Sequence, residues 1–265
     1  MFNMIRADLF KMYKSSVMKI LFGITTLCAG AMTVIANFIT QGKLDPGMTG
    51  VGFLFSDINM ISILGAVIAG VFICGDFDNK TIHDAIACGC SRRTIIVSKA
   101  IVFFCGIGFI LLPYAIITGI AISNGSEFGM GSVAVGFLNI LSKESGIVFS
   151  SSVFLKMIVS MLTLMLVYMA QLSICVPLAL VLKKPVLVVD ICYSISFIIG
   201  QLMSLRGCSN MFDNIYAFTP FGGNYSFVTL NTGAGDLVKA ISVSLVFIFV
   251  MLAATYSVFR KAEIK

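Results

Sequence analysis

The stretch INMISILGAVIAGVFIC, residues 58–74, carries no charged side chain and runs directly into GDFDNKTIHDAIACGCSRRTIIVSK, residues 75–99. An uncharged apolar run of this kind suits a helix crossing a hydrocarbon core about 30 Å thick, at roughly 1.5 Å per residue. The polar stretch behind it then lies at a membrane surface. From Ile95 onward the residues are apolar again, so the chain turns back into the bilayer. The unit is a helical hairpin joined by a structured surface segment.

The rest of the chain repeats the pattern. Of its 265 residues 58% are hydrophobic and only 11% charged, with a mean hydropathy of +1.04. Soluble domains average about 25% charged residues. Such a chain cannot cover a soluble fold, and the composition also excludes disordered, coiled-coil, collagen-like and disulfide-scaffold classes. The fold class expected is an all-α integral membrane protein, a single transmembrane domain over residues 1–265. Six spans are read at about 20–39, 58–74, 95–122, 153–182, 186–203 and 237–259. Pro113 is expected to kink the third span, Pro177 lies in the fourth, and only Lys183-Lys184-Pro185 separates the fourth from the fifth. The eight cysteines lie mostly in apolar runs, and no structural disulfide is expected. Cys88 and Cys90 make half a metal site with nothing to complete it.

With six spans both termini share a side. That side carries Arg6, Lys11, Lys14, Lys19, Lys80, Arg92, Arg93, Lys99, Lys183, Lys184, Arg260, Lys261 and Lys265. The other carries Lys43, Lys143, Lys156, Arg206 and Lys239. Basic residues resist translocation, so both termini are expected in the cytoplasm. The net charge of +6 reflects this topology rather than nucleic-acid binding. The run from Ile20 is too long for a signal-peptide core and is read as a retained span. Before it, residues 1–16 place Phe2, Ile5, Leu9, Met12 and Tyr13 on one helical arc, with Asn3, Asp8, Lys11 and Lys14 opposite. Two readings fit: an amphipathic elbow helix lying among lipid headgroups, or a solvated start to the first span.

In the segment 75–99, Ile82, Ala85, Ile86 and Gly89 share one face of a short helix, with Asp78 and Asp84 elsewhere. Gly89 is expected to end that helix in a left-handed conformation, and Ser91 to cap the next. A rigid surface helix turned sharply into a span can transmit a push from a soluble partner. The plainer reading is a basic loop that keeps the hairpin on its side.

The run Asp76-Phe77, Thr81-Ile82, Ile86, Gly89, Ser91-Arg92, Ile95 and Ser98-Lys99 resembles the stretch after the second span of ABC-2-type permeases. The lantibiotic-immunity and bacitracin-resistance permeases of Gram-positive bacteria are the similar branch. His83 and Lys80 stand where that pattern has an arginine and a small residue. The resemblance implies a six-helix permease in a bacterial cell membrane with an elbow helix, a cytoplasmic coupling helix and an outer re-entrant segment before the last span. It implies a separate ABC ATPase subunit docking on Asp76, Phe77, Thr81, Ile82, His83, Ile86, Gly89, Ser91, Arg92 and Arg93. ATP and Mg would be bound by that partner, with no cofactor on this chain. It also implies a homodimer or heterodimer with a second permease, and efflux of an amphipathic substrate such as an antimicrobial peptide or a lipid-like molecule. No catalytic residue and no enzyme activity are expected on this chain.

The outer segment 204–236 carries Met211, Phe212, Ile215, Tyr216, Phe218, Phe221, Tyr225 and Phe227. Exposing that many apolar side chains to water is unfavourable, so part of it is expected to dip into the outer leaflet or pack on the spans. The resemblance assigns the outer gate to Pro220 and Phe221. Residues 41–57 are Gly-rich and give no reading, and the apolar stretch Val133–Leu141 is too short to span and is read as interfacial. Asp190, Gln171 and Gln201 are candidates for a translocation path. Asp190 reads first as an interfacial partner of Lys183 or Lys184, and Gln171, Gln201 and Asn37 as interhelical hydrogen-bonders. Gly65, Ala66, Ala69 and Gly70 space small residues for close helix contact. The chain has no phosphate-binding Gly-x-x-x-x-Gly-Lys-Ser/Thr motif, and His83 is its single histidine. An ion-coupled secondary transporter or channel built on Asp190 is the alternative function.

Overall fold

A computed structural model describes residues 2–45, 49–129, 134–144, 146, 150–202, 209–222 and 225–261. Among these the regular structure is helical throughout, with no strand. Helix α1 covers Phe2–Lys14, α2 Ser16–Thr40, α3 Thr49–Leu54 and α4 Asp57–Ala69. A π-helical turn, Gly70–Cys74, carries α4 into α5, Gly75–Asp78. Then follow α6 (Thr81–Ala87), α7 (Arg92–Ser123), α8 (Phe137–Lys143), α9 (Ser151–Leu172), α10 (Cys175–Leu182), α11 (Pro185–Leu202), α12 (Asn210–Ala217), a 3₁₀ turn at Tyr225–Phe227 and α13 (Ala234–Lys261).

Five stretches are long and apolar enough to cross a membrane: Ser16–Thr40, Thr49–Asp78, Arg92–Ser123, Ser151–Leu182 and Ala234–Arg260. The remaining stretch of the six read from sequence is the shorter apolar helix α11; Met203, its expected end, lies outside the described residues. The interior relies on small residues that let backbones approach, which is how helices associate where lipid removes the hydrophobic drive. Ala29 and Ala36 of α2 and Ala66 and Ala69 of α4 are fully enclosed, and Gly70 lies against the backbone of Pro185.

The fourth apolar run is two helices rather than one. A proline has no N–H, and its ring collides with the carbonyl four residues earlier. Pro177 acts on Ser173, and the helix breaks at Ser173–Ile174. Lys183, in the left-handed conformation at φ 55°, then reverses the chain, and Pro185 opens α11, where its missing donor costs nothing.

The helices define two ends. At the terminal end lie α1, α5, α6, the start of α7, the α10–α11 turn and the last turn of α13. At the far end lie α3, α8, α12 and the 3₁₀ turn. Helix α1 forms where expected but is rolled from the arc read in the sequence. Met4, Ile5, Asp8, Leu9 and Met12 face the protein, while Phe2, Phe10 and Tyr13 are exposed. The roll follows from Asp8, which pairs with buried Lys99 on α7.

At the far end the apolar segment read as interfacial is enclosed by protein. Its start, Val133, lies outside the described residues. From Phe137 it is the helix α8, whose Phe137, Leu138, Ile140 and Leu141 have no exposed surface. Chain that buries its ends needs partners for its polar groups, and α8 has them. The Asn139 amide donates to the Val228 carbonyl, Glu144 accepts from the Leu230 N–H at 2.9 Å, and Asp57 accepts from the Phe137 N–H at 3.1 Å.

Candidate functional site

At the terminal end the site begins with Asp76. Its helix α5 emerges from the π turn with the carboxylate pointing inward, where it is 2% exposed and accepts from both Lys11 and Lys99. Lys99, itself buried, is shared with Asp8 at 2.8 Å, and the Ser98 hydroxyl donates to the same Asp8 carboxylate. A buried charge is tolerated only when paired and hydrogen-bonded. Two carboxylates and two ammonium groups therefore form one cluster that locks α1, α5 and α7 together. Phe77 is buried beside it, with the Lys183 ammonium 5.3 Å from the centre of its ring.

After α5 the chain reverses at Lys80, in the left-handed conformation at φ 57°. The Thr81 hydroxyl returns to the Asp76 carbonyl and α6 begins. Ile82 is 1% exposed, Ala85, Ile86 and His83 are half-buried, and Thr81, Asp84, Ala87 and Cys88 face outward. Gly89 ends the helix at φ +84°, donating to the Ile86 carbonyl while Cys90 donates to Ala85. These are the two crossed bonds of a left-handed C-terminal cap. The Ser91 hydroxyl accepts from the Thr94 N–H at 3.2 Å and opens α7, so the turn expected from the sequence is present in detail.

Arg92 does not point away from the protein. Its guanidinium donates to the carbonyl oxygens of Phe259 and Arg260 at 2.7 and 2.9 Å and lies over the Phe259 ring, while Arg93 lies over Tyr256. Cations are favoured where helix C-terminal carbonyls are unpaired, so α13 is fastened to the start of α7. Ten residues named from sequence thus divide. Asp76, Phe77 and Ile82 hold the segment to the bundle, Arg92 and Arg93 engage α13, and Thr81, Gly89 and Ser91 lie on the outer surface. His83 and Ile86 border it.

The far end holds a cavity of about 320 Å³ between α4, α9, α11, α12 and the 3₁₀ turn. It brings together Gln171, Gln201 and Phe221 of the residues named from sequence. The Gln171 amide donates to the Pro220 carbonyl at 3.0 Å and to the Ser226 hydroxyl. Asp190 is not among the lining residues. It is exposed on α11, no ion pair joins it to Lys183 or Lys184 among the described residues, and its carbonyl accepts from Ser194. Of the aromatic segment, Tyr216 is buried and donates to the Ile199 carbonyl, and Tyr225 donates to Ala217. Burial, with Asp236 nearby, raises the Tyr225 phenol above its ordinary pKa. Met211 and Ile215 on α12, and Phe218 just after it, are exposed. Residues 204–208 and 223–224 of that segment lie outside the described residues.

Beside the cavity stands a carboxylate that the sequence reading passed over. Asp57 closes the stretch 41–57 that gave no reading, yet it is fully buried, and its Oδ2 accepts from the Tyr168 hydroxyl and the Phe137 N–H. Its Oδ1 has no hydrogen-bond partner among the described residues. Gly136 passes so close, at φ +67°, that a Cβ there would lie 2.0 Å from the Tyr168 hydroxyl. The available signal was an acid at the head of an apolar run, directly after the capping residue Ser56.

No family model matches the chain, and no curated protein matches it.

Proposed function

We propose that this chain is the membrane permease subunit of an ATP-driven ABC-2-type exporter in a bacterial cell membrane. The observation that carries the reading is the doubly fastened α6. At its entry Asp76 ties the segment to α1 and α7. At its exit Arg92 ties it to the end of α13, and between them α6 offers an outward edge of Thr81, Asp84, Ala87 and Cys88. A force applied to that edge reaches four helices without passing through a flexible loop.

In this reading α11 is the sixth crossing, and both termini and α6 lie in the cytoplasm, as the basic residues around them favour. A separate ATPase subunit docks on α6 and holds ATP and Mg. Closure of the ATPase pair moves α6 and swings the spans between inward- and outward-facing states. Helix α12 with the 3₁₀ turn forms the re-entrant outer gate, and a second permease, identical or related, completes the path. The apolar walls favour an amphipathic cargo. An ion-coupled transporter built on Asp190 has less support, because that carboxylate faces outward from α11 and away from the cavity-lining set.

The test is co-purification with a candidate ABC ATPase. Asp84→Arg with Ala87→Arg, both on the outward edge, should abolish co-purification and leave thermal stability unchanged. Retention of the ATPase by that variant would overturn the docking assignment. Ile82 is unsuited to the test, since its burial makes any substitution a folding probe.

A further inference from the structure

We infer that the far-end cavity binds a small organic cation bearing an apolar group, with the aromatic walls and Asp57 as its recognition elements. Seven of the lining side chains are aromatic, among them Phe53, Tyr168, Tyr193 and Tyr216, and none is Lys, Arg or His. Ring faces attract cations, most strongly where water is excluded. Directly behind the Tyr168 wall lies Asp57, with no ion-pair partner among the described residues and one oxygen without a hydrogen bond. The ring faces and the ionised Asp57 carboxylate make the wall potential negative, and no Lys, Arg or His lines the cavity among the described residues.

Three of the polar side chains lining the cavity are already engaged. The Asn59 amide donates to Phe53 and Ser56, the Gln171 amide to Pro220 and Ser226, and the Ser62 hydroxyl to Ile58. An anion would find no positive charge there, only the neutral hydroxyls of Tyr193 and Ser196. A volume of about 320 Å³ corresponds to roughly ten waters, enough for an ammonium group with one ring or a short chain and too little for a folded peptide. The inference refines the cargo named in the proposed function, but binding itself requires neither an ATPase nor transport.

The experiment is equilibrium dialysis of radiolabelled benzyltrimethylammonium against the full chain in phosphatidylcholine nanodiscs, with protein-free nanodiscs as the partitioning control. Saturable binding at one cation per chain is expected. Neopentylbenzene, the uncharged isostere, should displace it at least tenfold less well, and benzenesulfonate should not displace it. Tyr193→Leu, a half-exposed wall position, should weaken binding roughly three- to tenfold, the range of one cation–π contact. Asp57→Asn should remove the preference for the cation over its isostere, and Tyr193→Leu keeps the test open should Asp57→Asn fail to fold. Absence of saturable binding, equal displacement by the isostere, or unchanged affinity in Tyr193→Leu would each overturn the inference. ATPase co-purification would be unaffected by any of these, so failure here is distinguishable from failure of the permease reading.

Discussion

The guanidinium Nη1 of Arg92 lies 2.7 Å from the carbonyl oxygen of Phe259, fastening the first residue of α7 to the last turn of α13. Hydrogen bonds from a charged donor contribute about 1.5–3 kcal/mol when shielded, and less at a partly solvated site such as this one. Arg92→Ala should destabilise the solubilised protein by about 1–2 kcal/mol in denaturant titration. Arg92→Lys should recover less than half of the loss, since an ammonium lacks the planar face that lies over the Phe259 ring.

Asp76 is the opposite case, a buried acid holding two lysines. Asp76→Asn leaves Lys99 with Asp8 alone, and breaking a buried pair in this way costs about 3–5 kcal/mol. Asp76→Asn combined with Lys99→Met also takes Asp8 from its partner, so it should be no more stable than Asp76→Asn alone. A double variant that regained the loss would show that Lys99 is not held by Asp8.

Gly136 and Gly125 share a positive φ, at +67° and +65°, but differ in surroundings, and Gly136 at ψ −134° lies outside the left-handed helical region. A Cβ on Gly125 meets open space, whereas one on Gly136 meets Tyr168 and Asp57. Gly125→Ala should cost only the conformational penalty, about 1–2 kcal/mol. Gly136→Ala should cost at least about 2 kcal/mol more, from displaced buried hydrogen bonds. Parallel thermal denaturation of the two variants checks the difference.

Thiol labelling reports orientation. Cys88 is exposed on the turn after α6 with half-buried Cys90 beside it, Cys105 is exposed midway along the apolar helix α7, and Cys28, Cys74, Cys175 and Cys192 are buried. In a Cys208→Ser background, a charged maleimide should modify Cys88 in inverted membrane vesicles and leave sealed right-side-out cells unlabelled. The buried thiols are out of reach of a charged reagent and should not react in either. Labelling from the outside would reverse the proposed topology.

Features set by neighbours in sequence were legible from the chain. The Gly89 turn and the Ser91 cap depend on local backbone geometry, and the long apolar runs on composition. Pro177 is intermediate: its presence was evident, but the break it makes at Ser173–Ile174 was not drawn from it. What escaped depends on partners far along the chain. The roll of α1 is decided by Asp8 meeting Lys99. The enclosure of α8 is decided by Asp57, Val228 and Leu230, and the inward direction of Arg92 by carbonyls more than a hundred and sixty residues away. A periodicity within one helix carries no trace of such pairings. In the cavity, Gln171, Gln201 and Phe221 were recognisable as polar or aromatic oddities. Asp57 was hidden because an acid beside a Gly-rich loop looks solvated.

The π turn at Gly70–Cys74 fixes the phase of everything after it. There the Gly75 N–H reaches back to the Gly70 carbonyl, five residues away, so the helix holds one residue more than an α-helical path would. Deleting one residue would let this turn close as an α-turn near the present angle, whereas regularising it to α-helix with every residue kept would leave α4 seated but swing the continuation through about 100°. Asp76 would then come off Lys99, and α1 would lose its anchor. One surplus residue in the backbone thus sets the angular position of the whole lever, and a shortened loop elsewhere in the chain would have no comparable effect.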